Sequence, residues 1–158
     1  MIDQVLFYST LLAALGCGLM AGVFFAFSSF VMGALARIPP AQGIAAMQSI
    51  NVAVINRSFL TGFLGTAAAC AALIVAALTA WQAHGRPYLL AGSVLYLVGT
   101  LLVTIACNVP RNTALAKVRG DSVEGTDQWA RYVVEWTRWN HVRTLAALLA
   151  AAFLMLAL

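Results

Sequence analysis

Trp136-Thr137-Arg138-Trp139-Asn140-His141-Val142-Arg143 stands directly before residues 144–158, a run made almost wholly of Leu, Ala, Phe and Met. The octet holds two Trp, two Arg, an Asn and a His within about two helical turns. The run behind it has 15 residues, whereas crossing a bilayer core takes roughly 20 apolar ones. If the last helix spans, part of the octet enters the membrane or its interface. Ionisable groups at that depth are costly and mark function by default.

The rest of the chain supports a membrane reading. Of its 158 residues 63% are hydrophobic and only 9% charged, against about 25% charged in a soluble domain. One integral membrane domain, 1–158, is the expectation. Met1-Ile2-Asp3-Gln4 lacks the basic segment of a secretory signal, so the first apolar stretch reads as a retained anchor. Cys17, Cys70 and Cys107 lie in apolar runs, at spacings that suit neither zinc nor haem attachment. They read as small buried apolar residues. The net charge of +4 reads as a topology signal and not as a nucleic-acid footprint.

Run length places spans at about 4–36, 57–83, 88–109 and 136–158. Arg37-Ile38-Pro39-Pro40 ends the first, because paired prolines cannot continue a helix. His84-Gly85-Arg86-Pro87 stops the second, and Asn108-Val109-Pro110 ends the third with a kink or break. Residues 43–56 are also helix-compatible, either as a continuation of the second span or as a separate interfacial helix. Residues 126–136 extend the fourth helix, with Thr126 as N-cap and Asp127 favouring the dipole. Asp127–Arg131 and Arg131–Glu135 would pair along its solvated face. The expected fold is all-α, an integral membrane four-helix bundle whose long second and fourth helices project into the cytoplasm. Ala14, Gly18 and Gly22, and likewise Gly62, Gly65 and Ala69, offer small faces for close helix approach, in the bundle or in a homo-oligomer.

Arg37, Arg57, Arg111, Lys117, Arg119, Arg131, Arg138 and Arg143 fall at one membrane face, and Arg86 alone at the other. The positive-inside rule then puts the rich face in the cytoplasm and both termini outside, in an inner (cytoplasmic) membrane. This topology gathers the polar residues. Ser28 and Ser29 arrive from the first span, Asn51 and Asn56 from before the second, Asn108 and Asn112 from the third, and the octet from the fourth. Trp136, Asn140 and Arg143 share one helical face, with His141 about 100° to the side of Asn140. Each has an ordinary explanation alone: an interfacial Trp belt for Trp136 and Trp139, snorkelling for Arg143, helix bridging for the amides, a satisfied interfacial imidazole for His141. Together they favour a cytoplasm-facing polar pocket with an aromatic lining, to which Phe24, Phe25, Phe27 and Phe30 add apolar wall or plain core.

Four segments carry a family resemblance. They are Phe24-Phe25-Ala26-Phe27-Ser28-Ser29-Phe30, Met47-Gln48-Ser49-Ile50-Asn51, Asn108-Val109-Pro110-Arg111-Asn112 and the octet itself. With them the chain resembles the anthrone oxygenase-like family of small four-helix membrane proteins, over nearly its whole length. The resemblance implies an oxygenase of polycyclic phenols, working without metal or flavin. Membership is analogy as far as the substrate goes.

The chemistry so implied needs a base, an anion stabiliser and a dry flat pocket. An anthrone has an acidic benzylic carbon, and the anion left by its proton can pass an electron to O2. His141 is the natural base, since an unperturbed imidazole titrates near working pH. Arg143 would hold the enolate or superoxide charge. Asn140, Asn108 and Asn112 would hydrogen-bond the carbonyl and hydroxyls, with Asn51 and Ser28 closing the pocket. Trp136 and Trp139 would stack on the rings. The partners expected are a small hydrophobic aromatic substrate, O2 and membrane lipid, with no nucleic acid. The alternatives are a haem-binding subunit with His141 as ligand, and a non-enzymatic lipid- or quinol-binding subunit. A small oligomeric transporter ranks behind them, because no span looks broken at the midplane. His84, the other histidine, is expected at the opposite face, so a two-histidine site in one protomer does not form.

Overall fold

The four apolar runs become four long helices, because only a helix satisfies every backbone N–H and C=O within its own segment. They are α1 (Gln4–Leu35), α3 (Arg57–Thr79), α4 (Arg86–Leu115) and α5 (Val123–Leu156), each long and apolar enough to cross a membrane. A shorter helix, α2 (Pro40–Ala53), lies between the first two. The structure, a computed structural model, describes residues 2–79 and 85–158, with side chains from residue 4 onward. The expected end of the second span near residue 83, the side chain of Asp3, and His84 lie outside the described residues.

Of the two arrangements open to residues 43–56, the chain adopts the separate helix. Pro40 stands in the first turn of α2, where a missing N–H costs nothing. The helix stops at Val54, and Asn56 starts the next one: its Oδ1 accepts from the Phe59 N–H at 3.0 Å. Asn56 is exposed and serves as a cap.

The third helix does not end at Pro110 as expected; it continues to Leu115. Proline lacks an N–H, and its ring crowds the carbonyl four residues back. Just before it, Thr104–Asn108 widens into a π turn, and the next α-helical segment begins at Val109. Pro110 thus occupies the first turn of a fresh α segment. The fourth helix begins earlier than expected, and its cap is Ser122, not Thr126. Ser122 is extended and its Oγ accepts from the Gly125 N–H at 2.9 Å. The expected Arg131 pairs are also replaced. Arg131 donates to Gln128, and Glu135 instead meets Arg111 of α4 at 3.0 Å.

α1 and α4 each pack between α3 and α5, giving a four-helix ring. Two apolar clusters fill it. One includes Cys17, Phe24, Phe63, Cys70, Tyr96, Ala150 and Leu154. The other joins Ile44 and Met47 of α2 to Met32, Leu115, Trp129, Tyr132 and Trp136. At 34 residues, α5 is about 51 Å long, some 20 Å more than a hydrocarbon core of about 30 Å. Its extra turns carry Trp129 and Tyr132 against α2.

Only part of the expected small-residue faces serves packing within the bundle. Ala13, Cys17, Met20 and Phe24 turn inward on α1. That phase leaves Gly18 and Gly22 outside, where an added Cβ meets nothing, and Gly65 is equally open. Close approaches occur between α1 and α3, where a Cβ on Gly16 would run into the Thr66 hydroxyl, and between α4 and α5. A Cβ on Gly92 would lie 2.9 Å from the Ala150 carbonyl oxygen, and one on Gly99 2.5 Å from the Ala146 Cβ. Gly99→Val should therefore destabilise the protein by about 1–3 kcal/mol. Thermal unfolding in detergent reads this, and an unchanged melting temperature would mean the seam has slack.

Candidate functional site

Between the two apolar clusters lies a polar layer. Thr100, Asn108, Asn140 and Arg143 are all buried there, at 0, 1, 0 and 6% exposure. α4 supplies Thr100, Thr104, Asn108 and Asn112, spaced four apart; α5 supplies Trp136, Asn140 and Arg143 opposite them. In a pure α-helix each step of four overshoots a full turn by about 40°, so such a column would wind off the interface. A π turn reaches one residue further and undershoots. Alternation of π segments (Leu95–Leu102, Thr104–Asn108) with α turns keeps the column facing α5. α1 has its own π turn, Phe27–Val31, on the opposite wall.

Arg143 is the centre. Its Nε and Nη2 donate to Asn140 Oδ1 at 3.2 and 2.8 Å, and its Nη1 donates to Thr104 Oγ1 at 3.2 Å. The guanidinium carbon lies 4.2 Å from the Phe24 ring centroid and 5.0 Å from that of Trp136, so aromatic faces help to carry the charge. Among the described residues no carboxylate forms an ion pair with it. Asn140 is fully committed: its Nδ2 donates to the Phe24 carbonyl and to Ser28 Oγ, both at 2.7 Å. Ser28 Oγ also pairs with Thr144 Oγ1 at 3.1 Å, and Thr144 Oγ1 donates to the Asn140 carbonyl.

A second knot lies one turn away. Asn112 Oδ1 accepts from both the Tyr132 hydroxyl, at 2.9 Å, and Trp136 Nε1, at 2.8 Å. Tyr132 stacks between Trp129 and Trp136, with ring centroids 5.7 and 6.1 Å away. Asn51, half-buried near the end of α2, makes no side-chain hydrogen bond among the described residues, and the Tyr132 hydroxyl is held by Asn112. Asn108 Nδ2 donates to the Trp136 carbonyl at 3.2 Å, while Asn108 Oδ1 is buried with no partner.

The layer has spare hydrogen-bonding capacity. A guanidinium carries five N–H donors, and three of Arg143's are used within the protein. Asn108 leaves one buried acceptor. Buried polar groups are normally paired, and an unmet one costs about 1–3 kcal/mol. An anionic oxygen for the arginine and a hydroxyl for the amide would complete the layer.

Most of the residues expected at the site do gather: Asn140, Arg143, Asn108, Asn112, Trp136, Ser28 and, at the margin, Asn51. Two do not. Trp139 is half-buried, and among the described residues it makes no hydrogen bond or ring contact with the polar layer. His141 is exposed and lines a groove between α1 and α5 together with Ser28, Ser29, Thr137 and Arg138. The reason is angular: inward positions of α5 follow Tyr132, Trp136, Asn140 and Arg143, so residue 141 turns out. Thr100, Thr104, Thr144 and Tyr132 were not anticipated. Their signal was present in the steps of four from Asn108, Asn140 and Trp136. No group of three or more His, Cys, Asp or Glu able to hold a metal occurs among the described residues.

A family model described as Anthrone oxygenase matches residues 56–153. That stretch takes in α3, α4 and α5, hence Asn108, Asn112, Trp136, Asn140 and Arg143, but not Ser28 or Asn51. Comparison with curated proteins and with solved structures gives no match.

Proposed function

The chain belongs to the anthrone oxygenase family, and from that premise we propose that it oxidises an anthrone-like polycyclic phenol with O2 in the membrane, with Arg143 holding the substrate anion. The observation that carries this reading is the unfilled valence of the buried layer. A cation with free N–H groups and no carboxylate, beside an orphan amide oxygen, suits a ketone or enolate oxygen flanked by a hydroxyl. Phe24, Phe27 and Trp136 offer the flat apolar surroundings such a ring system needs.

The reaction is the conversion of a ring CH2 to a ketone. Loss of one proton leaves an enolate, whose charge Arg143 holds in a low-dielectric layer where such contacts are strongest. One electron passes to O2, and the radical and superoxide join as a hydroperoxide. Loss of water then leaves the new C=O, so one oxygen atom enters the product and the other leaves as water. Asn108 would accept from a substrate hydroxyl. The excess of basic residues at this end of the bundle favours a cytoplasmic aspect for the site, in the inner membrane.

The test uses purified protein in nanodiscs with 1,8-dihydroxyanthrone. The expected result is quinone formation above the spontaneous rate, one O2 consumed per quinone, and one atom of 18O2 in the product. A rate equal to that of protein-free nanodiscs would sink the reading. A Soret band or stoichiometric metal in the active sample would replace the cofactor-free chemistry with a haem or metal route.

A further inference from the structure

The groove between α1 and α5 measures about 360 Å3, within the range of small-molecule sites, and it is distinct from the buried layer. Its wall holds an unusual hydroxyl. A threonine inside a helix ordinarily bonds to the carbonyl four residues back. Thr10, Thr66, Thr79, Thr104, Thr113 and Thr144 all do so here. Thr137 does not: its Oγ1 is buried and without a partner. Arg138 and His141 stand beside it, three residues apart on the exposed side of α5, with no hydrogen bond or ion pair among the described residues. Gly33 of α1 lines the same groove and has open space where a Cβ would stand. Ser28, also in this wall, is the group on which Asn140 donates. Two hydrogen bonds thus join the groove to Arg143, through Ser28 and Asn140.

We propose that this groove is a lateral docking subsite, where the acidic hydrophobic substrate enters from the lipid and gives its proton to His141 before its anion moves past Ser28 to Arg143. The inference rests on the oxygenase reading and adds a site to it. In the transfer, the substrate C–H bond breaks and its electron pair passes onto the carbonyl oxygen. The proton bonds to an imidazole nitrogen, and because His141 is exposed it leaves to water. Arg138 would hold the polar edge of the ring system meanwhile. Separation of base from anion holder also accounts for an imidazole that sits off the buried face.

The experiment compares wild type with Gly33→Phe, Gly33→Ala and His141→Gln in phosphatidylcholine nanodiscs. Turnover of 1,8-dihydroxyanthrone is one readout. Quenching of tryptophan fluorescence by 1,8-dihydroxyanthraquinone, which needs no turnover, is the other. Gly33→Phe fills the groove with no backbone clash, and should lower kcat/KM at least 10-fold and weaken quinone binding equally, with unfolding temperature unchanged. Gly33→Ala, which adds far less bulk, should lower kcat/KM much less than Gly33→Phe. His141→Gln should lower kcat about 10²-fold, as loss of a general base does, with quinone binding intact. Wild-type behaviour of Gly33→Phe in both readouts overturns the docking subsite and leaves the oxygenase reading standing. Quinone binding that is sensitive to Gly33→Phe, in a protein that consumes no O2, overturns the oxygenase reading and leaves the subsite. Full turnover by His141→Gln overturns the proton transfer. Displacement of the quinone by phosphatidylglycerol, lost in Gly33→Phe, would make the groove a lipid-headgroup site and overturn the proposal.

Discussion

Arg143→Gln should lower kcat/KM for 1,8-dihydroxyanthrone by at least 10²–10³-fold while the protein remains as stable as wild type to within about 2 kcal/mol. The kinetic part follows from removal of the one full positive charge in the layer. Loss of a single neutral donor to a developing oxyanion costs about 10²–10³ in kcat, and a cation in a water-poor setting is worth at least as much. The stability part follows from opposed terms. Burial of an arginine costs several kcal/mol in desolvation, which the variant recovers. Against this, Asn140 Oδ1 loses two donors and Thr104 Oγ1 loses one, at about 1–3 kcal/mol for each group left unmet. A Gln amide can still reach one of them. A structural arginine would show the reverse pattern, with stability lost and any activity unaffected in the fraction still folded. Kinetics and calorimetry on one preparation distinguish the two.

Asn140→Ala should cost about 3–5 kcal/mol in unfolding free energy, the range for breaking a buried charged interaction by removal of one partner. No other side chain of the layer makes as many hydrogen bonds. The change strands the Phe24 carbonyl, Ser28 Oγ and two N–H groups of Arg143, all in the layer between the apolar clusters. Asn140→Asp is the sharper probe. It places a carboxylate against Arg143, so the charge is spent inside the protein and an incoming anion meets a neutral pair. Turnover should fall at least 10²-fold even where unfolding shifts less than in Asn140→Ala. Wild-type turnover in Asn140→Asp would mean that the arginine's charge does not act on the substrate.

The spans, their number and the meeting of Asn108, Asn112 and Asn140 at one level were legible in the sequence. Apolar run length and strict antiparallel threading decide those features almost alone. Pro110 misled because a proline's effect depends on the turn before it, and a π turn has no compositional signature. Whether Asn56 faces the pocket was not legible, because amides cap helices and line pockets equally well. Whether Gly18 and Gly22 served the bundle or an outer face was not legible, because spacing reports a face but not which way it turns. His141 was placed beside the buried face correctly, but a 100° offset on a helix flanked by lipid suffices to expose it. The threonines escaped because a hydroxyl in a membrane helix usually satisfies itself. Only the carbonyl left free, or the hydroxyl left unmet, reveals those with another task.

The π turns carry a consequence for how this fold can vary. Each is in effect one additional residue accommodated as a bulge inside a continuous helix, so the turns beyond it keep the phase of an α-helix one residue shorter. Loss of a single position in Thr104–Asn108 together with its π turn would restore ordinary α geometry and leave Asn112 and the rest of α4 in phase with Thr100. Straightening of that segment with its residue count kept would instead swing them by about 100°. The same holds in Phe27–Val31 for Met32 and Leu35 relative to Phe24. Homologous chains that keep the layer can therefore differ by one residue across these segments only where the π turn is gained or lost with it.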